Sequence, residues 1–167
     1  IKDVTDYLVA PNLAQEGEEI PLAQVGRLVV DICAALKLQL VAAPDKDNLS
    51  KARITLSQQA AELALRQILE NSKKFHPTQT PTIDIALSRV GPRKASLRLG
   101  DNGLTLSPEQ LAQVWTPYYQ GEKYFTGEAQ GMGLGLSTVF ALVSGVGGSC
   151  RLYNQPNGPG VVVELLL

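Results

Sequence analysis

Hydrophobic residues recur with helical spacing in two stretches of the first half of the chain. From position 25 onward they fall at i, i+3, i+4, i+7, i+8 and i+11, which predicts an amphipathic helix carrying Val25, Leu28, Val29, Ile32, Cys33 and Leu36. A second helix is predicted to begin after Ser57, a good N-cap residue, and to end at Pro77. Its inner face carries Ala61, Leu65, Ile68, Leu69, Ser72 and Phe75.

Alternating apolar residues predict short strands around these helices. They occur at 38–40, 83–87 and 97–99, and two closing strands are predicted at 149–153 and 161–167. A capping box at 107–110 begins a short helix, and an apolar helix at 137–146 follows the GMGLGLS motif. Together these elements predict an α/β two-layer sandwich, with about three main helices on one face of a mixed, mostly antiparallel sheet.

Composition narrows the function classes. The 167 residues fit one domain, and fifteen basic against sixteen acidic residues leave a net charge of −1. That balance gives no electrostatic reason to expect a nucleic acid or an acidic membrane as partner. The most apolar long stretch, 25–43, is interrupted by Arg27, Asp31 and Lys37. We therefore expect no membrane contact from this segment, and any membrane anchor would lie outside this chain.

Histidine and cysteine are scarce, which limits the chemistry available to the chain. A single histidine, His76, excludes a multi-histidine metal site. Its position just before Pro77 is typical of a surface loop. Cys33 and Cys150 cannot form a zinc cluster by themselves, and two distant cysteines favour a reducing compartment. We expect Cys33, on an apolar helical face, to be an inert core thiol.

Glycines are concentrated at 131–135, immediately before the predicted helix at 137–146. Glycines in this position let the backbone approach a phosphate, whose charge is favoured by free N–H groups and by the helix dipole. The stretch lacks the Gly-Lys-Ser/Thr of a P-loop and follows a polar loop rather than a strand. A tight packing turn is therefore an equally good interpretation of this motif alone.

Two further polar clusters lie at the ends of predicted elements. At the end of a strand, an Asp101 carboxylate could accept a hydrogen bond from an exocyclic amine, and Gly103 would leave room for a flat ring. Near a helix end, Asn71 offers Mg²⁺ a neutral oxygen, and Lys74 lies nearly one turn further on, where it could meet phosphate. In isolation, an Asx-type turn and a solvated helix end are the better interpretations.

Taken together and in this order, the clusters resemble the nucleotide-binding boxes of the histidine-kinase-type ATPase family, which includes gyrase, Hsp90 and MutL. The N box is represented by LRQILENSKKF, the first glycine box by LGDNG, the F box by VWTPYY and the second glycine box by GMGLGLS. The segments VSGVGGSCRLYN and GPGVVVELLL resemble the final helix and strands of that domain. The resemblance covers residues 20–167, is nearest to the catalytic domain of two-component sensor histidine kinases, and implies a Bergerat-type ATP-binding fold.

Carried over by position, the resemblance assigns roles to residues in the first two boxes. It implies that Asn71 is the Mg²⁺ ligand, with Lys74 near the phosphates and Phe75 near the nucleoside. Asp101 would recognise the adenine amine, with Gly103 beneath the ring.

The resemblance also implies an ATP lid at 119–130. Lys123 is the cationic candidate within that lid for a phosphate contact. The phosphate-facing end of the lid and its following helix would be formed by Gly131, Gly133, Leu134, Gly135 and Leu136.

Several positions depart from the family pattern. Gln67 stands four residues before the predicted Mg²⁺ ligand, where ATP-hydrolysing members place a Glu base, and an amide cannot take a proton from water. Phosphoryl transfer to another acceptor is therefore favoured over hydrolysis. Glu70 is the remaining catalytic candidate, although on a helix it points about 100° away from the Mg²⁺ ligand. Thr105 replaces a glycine, Gln120 a frequent arginine, and Val161 a threonine that can hold an adenine-linked water.

The resulting hypothesis is the ATP-binding catalytic domain of a sensor histidine kinase, an ATP-dependent protein histidine kinase in a two-component system. Residues 1–19 would be a linker or the tail of an upstream dimerisation domain, and residues 20–167 the catalytic domain. The cofactors would be ATP and Mg²⁺. The partners would be the histidine-bearing dimerisation domain and, indirectly, a response regulator, and we expect a cytoplasmic location.

Two alternatives stay open at this point. A degenerate nucleotide-binding or docking module without kinase activity is motivated by Thr105, Gln120 and Val161. An anti-sigma-type serine kinase would share the same boxes.

Overall fold

The computed structural model describes residues 2–13, 18–41, 49, 51–91, 94–119 and 133–167. Within these ranges the helices are α1 (Lys2–Leu13), α2 (Leu22–Leu36), α3 (Gln58–Phe75), α4 (Pro108–Gln113) and α5 (Gly135–Gly145). The strands are β1 (Glu19–Pro21), β2 (Gln39–Leu40), β3 (Arg53–Thr55), β4 (Thr82–Gly91), β5 (Lys94–Asp101), β6 (Ser149–Asn154) and β7 (Val161–Leu166).

Among the described residues, the main sheet has five strands in the order β2-β4-β5-β7-β6. Of the strand pairs that the structure describes in this sheet, β2–β4 is parallel and the other three are antiparallel. This confirms the predicted mixed, mostly antiparallel sheet. A separate two-stranded antiparallel sheet joins β1 to β3 and was not predicted.

Alternation along the strands gives the main sheet one apolar and one polar face. Leu97 and Leu99 of β5 are buried in the core together with Leu165 of β7. On the opposite face, Glu164 accepts a hydrogen bond from Ser96 (3.2 Å) and lies 3.7 Å from the exposed Arg151 guanidinium. Since charged groups stay solvated, the helices can cover only the apolar face.

Local capping explains where two helices begin, as the sequence predicted. The Ser57 hydroxyl accepts a hydrogen bond from the amide of Ala60 at the start of α3. Ser107 and Gln110 form a reciprocal capping box at the start of α4, with Pro108 at the first helical position. These contacts satisfy amide groups that a helix N-terminus otherwise leaves unpaired.

α1 packs against α5 and α3, so the N-terminal segment lies on the helical layer. Ala10 of α1 is fully buried. The carbonyl oxygen of Leu13 accepts a hydrogen bond from the Ser57 hydroxyl (3.2 Å). The domain boundary near residue 20 stays a prediction. Among the described helices, none is both long enough and apolar enough to cross a membrane.

Candidate functional site

Asp101 occupies the last position of β5, on the same face as the core leucines of that strand, and is therefore buried. Its carboxylate accepts three hydrogen bonds from described residues. The Ser72 hydroxyl donates to Oδ2 (2.8 Å), whereas the amides of Gly103 (2.9 Å) and Val161 (3.3 Å) donate to Oδ1. The carboxylate is thus held by α3, by its own turn and by β7, which orients it in a buried place.

The loop between β6 and β7 fits against the backbone of Asp101. The side-chain amide of Gln155 donates to the Asp101 carbonyl oxygen (3.2 Å), and the backbone amide of Gln155 donates to the Gly160 carbonyl (2.9 Å). Gly160 has a φ of 104° and is buried, and a Cβ at this position would overlap the Asp101 carbonyl oxygen. Glycine is therefore required here both for its backbone conformation and for its lack of a side chain.

A second group of residues meets where α3 packs against the first turn of α5. A Cβ added to Gly135 would lie 2.9 Å from Gln67 Oε1 and 3.2 Å from Asn71 Nδ2. The backbone of α5 can therefore approach the N-box side chains only because residue 135 has no side chain. Gln67 also donates from Nε2 to a carboxylate oxygen of Asp6 in α1 (3.3 Å). The glutamine is thus held between α1 and α5.

Two described residues on either side of the predicted lid contact each other directly. The amide of Tyr118 donates to the carbonyl oxygen of Gly133 (2.9 Å). Gly133 has a φ of 70°, and a Cβ there would lie 2.6 Å from the carbonyl oxygen of Tyr119. The next residue, Leu134, is buried, and its carbonyl oxygen accepts a hydrogen bond from the Ser137 hydroxyl (2.9 Å). The described residues that flank the predicted lid therefore form a closed junction that depends on Gly133.

The two lysines at the end of α3 have different surroundings. Lys73 donates from Nζ to the carbonyl oxygen of Leu36, the last residue of α2, at 2.8 Å. The ammonium of Lys74 lies 5.1 Å from the ring centroid of Phe75, a residue that is 42% exposed. Lys73 thus contacts a helix end, while the phosphate role of Lys74 and the nucleoside role of Phe75 stay predictions.

Some of the remaining predicted site residues lie in the part of the chain that the structure describes, and others do not. Glu70 and Leu136 are half-buried on α3 and α5, and their roles stay predictions. Lys123 and Gly131 lie outside the described residues, as does Gln120.

His76 follows α3 directly, and its ring Nδ1 accepts a hydrogen bond from the backbone amide of Thr78 (3.2 Å). A Cβ on Gly103 would lie 3.7 Å from the Cα of His76 and 3.1 Å from Asp101 Oδ1. The backbone of His76 therefore lies close to the turn that follows Asp101.

The residues present fit a magnesium ion that is held mainly by substrate oxygens. In the part of the chain that the structure describes, no three His, Cys, Asp or Glu side chains are close enough to form a metal cluster. Asn71 could supply one amide oxygen, next to a backbone that approaches closely at Gly135. Because Mg²⁺ usually keeps several waters and binds substrate phosphates with only one or two protein ligands, such a sparse donor set is appropriate for it.

Sequence reasoning missed the contacts that hold Asp101. The helical pattern placed Ser72 on the inner face of α3, and a hydroxyl on a mostly apolar stripe was a signal that it has a buried partner. The identity of that partner, and the approach of Gly160 and Gln155 from the last hairpin, depend on the order of the strands.

The sequence and the fold of this chain are similar to those of known proteins. The sequence profile of the family described as histidine kinase-, DNA gyrase B-, and HSP90-like ATPase matches residues 57–167. A non-motile and phage-resistance protein of Caulobacter vibrioides is 29% identical over 143 residues, which is 84% of this chain and 16% of the relative. The histidine-protein kinase/phosphatase MprB of Mycobacterium ulcerans is 31% identical over 107 residues, 62% of this chain and 20% of the relative.

The sensor-like histidine kinase SenX3 of Mycobacterium tuberculosis is 23% identical over 171 residues, 99% of this chain and 41% of the relative. The chain thus spans less than half the length of each of these relatives. Among solved structures, a mycobacterial sensor histidine kinase MprB superposes with a TM-score of 0.71 at 19% identity, covering 90% of this chain and 95% of that one. Full-length ShkA in complex with AMPPNP superposes with a TM-score of 0.69 at 19% identity, and the match covers 99% of this chain and 34% of that one. These similarities confirm the predicted fold.

Proposed function

Because the chain belongs to the family of histidine kinase-, DNA gyrase B- and HSP90-like ATPases, we propose that it binds Mg–ATP and donates the γ-phosphate to a histidine. That histidine lies on a separate dimerisation domain, and the reaction is the first step of two-component signalling. The donor is ATP, so the proposal places the domain in the cytoplasm. The relatives that carry sensor-kinase names support the proposal.

The observation that carries the proposal is the position of two consecutive residues on α3. Asn71 lies beside Gly135 of the second glycine box, and Ser72 donates a hydrogen bond to Asp101 of the first glycine box. One turn of α3 therefore contacts both the glycine backbone, which suits phosphates, and the buried carboxylate, which suits an amine. An adenine nucleotide has an amine at one end and phosphates at the other.

Each end of the proposed site has a physical basis. The buried Asp101 carboxylate accepts hydrogen bonds from three described donors, and such an acceptor suits the exocyclic amine of adenine. At the other end, Asn71 would hold Mg²⁺, which when bound neutralises phosphate charge. Gly135 keeps the α5 backbone close to that ligand, and the first turn of α5 favours negative charge near its free amides.

The chain's own contribution to phosphoryl transfer is mainly positioning. Gln67 donates its side-chain amide to Asp6 and cannot act as a general base toward water. We propose that the site orients the γ-phosphate for an external acceptor and hydrolyses ATP slowly. Phosphoryl transfer fits such a site because it requires orientation and charge neutralisation more than covalent help from the protein.

The test combines nucleotide binding with transfer. Calorimetric titration with ADP should show binding that Mg²⁺ strengthens, and Asn71→Ala should abolish the Mg²⁺ effect. Asn157→Ala in the β6–β7 loop, at an exposed position, is the matched control and should leave binding unchanged. With ATP and an acceptor-helix domain of a sensor histidine kinase added in trans, an acid-labile phosphohistidine should form, and Asn71→Ala should prevent it.

The outcomes distinguish the alternatives. ADP binding without any transfer would favour the docking module over the kinase. An acid-stable phosphate on serine would favour the anti-sigma-type kinase. Absence of ADP binding by the unmodified chain, up to millimolar nucleotide, would refute the nucleotide site itself.

A further inference from the structure

We infer that Ser72 is a positioning residue that sets the selectivity of this site for a 6-amino purine over a 6-oxo purine. This inference rests on the proposed nucleotide site and names a determinant of its base specificity. Ser72 follows the proposed Mg²⁺ ligand directly and lies on the inner face of α3. Its hydroxyl donates to Asp101 Oδ2 at 2.8 Å, an ordinary hydrogen-bond distance between two oxygen atoms.

The hydrogen-bonding capacity of the carboxylate leads to this inference. Each carboxylate oxygen accepts about two hydrogen bonds. Oδ1 already accepts the amides of Gly103 and Val161, so its capacity is used. Oδ2 accepts the Ser72 hydroxyl alone among the described residues, which leaves it capacity for one further donor.

The remaining acceptor position matches one class of purine. A 6-amino group presents N–H donors, of which Oδ2 can accept one. A 6-oxo group places an acceptor oxygen against the open position of Oδ2, so two acceptors face each other in a buried site with no donor between them. Since Ser72 occupies one position of Oδ2, the carboxylate cannot turn to relieve that repulsion without losing a charge-assisted hydrogen bond.

Removal of the hydroxyl should therefore lower selectivity rather than merely weaken binding. In Ser72→Ala, Oδ2 has two unfilled acceptor positions, and the carboxylate is held on the Oδ1 side only. A water can then enter and mediate contact with either purine. The aligned contact to the 6-amino group is weakened, while the penalty for the 6-oxo group decreases.

The experiment compares ADP with inosine 5′-diphosphate, which carries oxygen at C6, by calorimetric titration of the same chain. The unmodified chain should prefer ADP. Ser72→Ala should raise the Kd for ADP about tenfold, as expected for a lost charge-assisted hydrogen bond, and the Kd ratio of the two nucleotides should fall by a similar factor. Ser72→Thr, which retains the hydroxyl, should keep the ratio, and Ser144→Ala, an exposed serine on α5, should change neither Kd.

The results separate this inference from the proposed function. If the unmodified chain prefers ADP but Ser72→Ala leaves the ratio unchanged, or weakens both nucleotides equally, Ser72 has no role in selectivity and the inference is wrong. If Ser72→Thr lowers the Kd ratio of the two nucleotides as much as Ser72→Ala does, the hydroxyl is not the cause of the selectivity. That result would also overturn the inference. If the unmodified chain binds neither nucleotide, the proposed function fails and this inference fails with it.

Discussion

Substitution of Gly160 by alanine tests whether the β6–β7 loop holds the proposed adenine-side carboxylate in place. Gly160 has a φ of 104°, a region that side-chain-bearing residues rarely adopt, and its Cβ would overlap the Asp101 carbonyl and approach the Asn102 Cα at 2.9 Å. Such backbone strain costs about 1–3 kcal/mol. Overpacking against a buried backbone adds roughly 1–3 kcal/mol. We expect the free energy of unfolding to fall by about 3 kcal/mol or more, which for a chain of this size is roughly 6–12 °C in Tm.

The measurement is urea unfolding followed by the fluorescence of Trp115, the one tryptophan of the chain. Gly158→Ala is a matched control in the same loop, because its Cβ would meet nothing within 4 Å and its φ is outside the left-handed range. That control should change stability by less than about 0.5 kcal/mol. ADP affinity should fall in Gly160→Ala and not in the control, because the displaced backbone carries the Asp101 carboxylate with it. If the two variants are equally stable, the close approach of the loop to Asp101 is not what holds this end of the sheet.

Two further predictions concern α3 and the cysteines. Lys73→Met keeps the aliphatic stem but removes the ammonium that hydrogen-bonds to the Leu36 carbonyl, so it should lower the free energy of unfolding by about 1 kcal/mol. Lys51→Met, at an exposed position, should leave the free energy of unfolding almost unchanged. Equal effects of the two variants in urea unfolding would contradict a stabilising role for the Lys73 contact with the end of α2. Burial raises the pKa of Cys150 from 9.0 to about 12, so iodoacetamide at pH 8.5 should alkylate it far more slowly in the native chain than in urea. Because the folded thiol has the higher pKa, its contribution to stability is complete below about pH 9 and should be lost as pH rises toward 12. Rapid native alkylation would contradict this burial.

The local elements were predictable because their signals are contained within a few residues. The cap at Ser57 and the capping box at Ser107 marked the starts of α3 and α4, and both cap hydrogen bonds are present. Period-two alternation predicted β4 and β5, which form an antiparallel hairpin. The β1–β3 sheet was not predictable in this way, since each of its strands has three residues and its stability depends on a pairing across 34 positions.

Periodicity, caps and ordered motifs are local properties of the chain, so they predicted most of the elements, the family resemblance and the chemical types of the site residues. Which of these groups meet depends on the fold. Ser72 reaches Asp101 across 29 positions and Val161 reaches it across 60. Both contacts exist because β5 pairs with β7 while α3 packs over the apolar face of the sheet. Strand order is a global property, set by how all apolar faces are buried at once, and no local pattern specifies it.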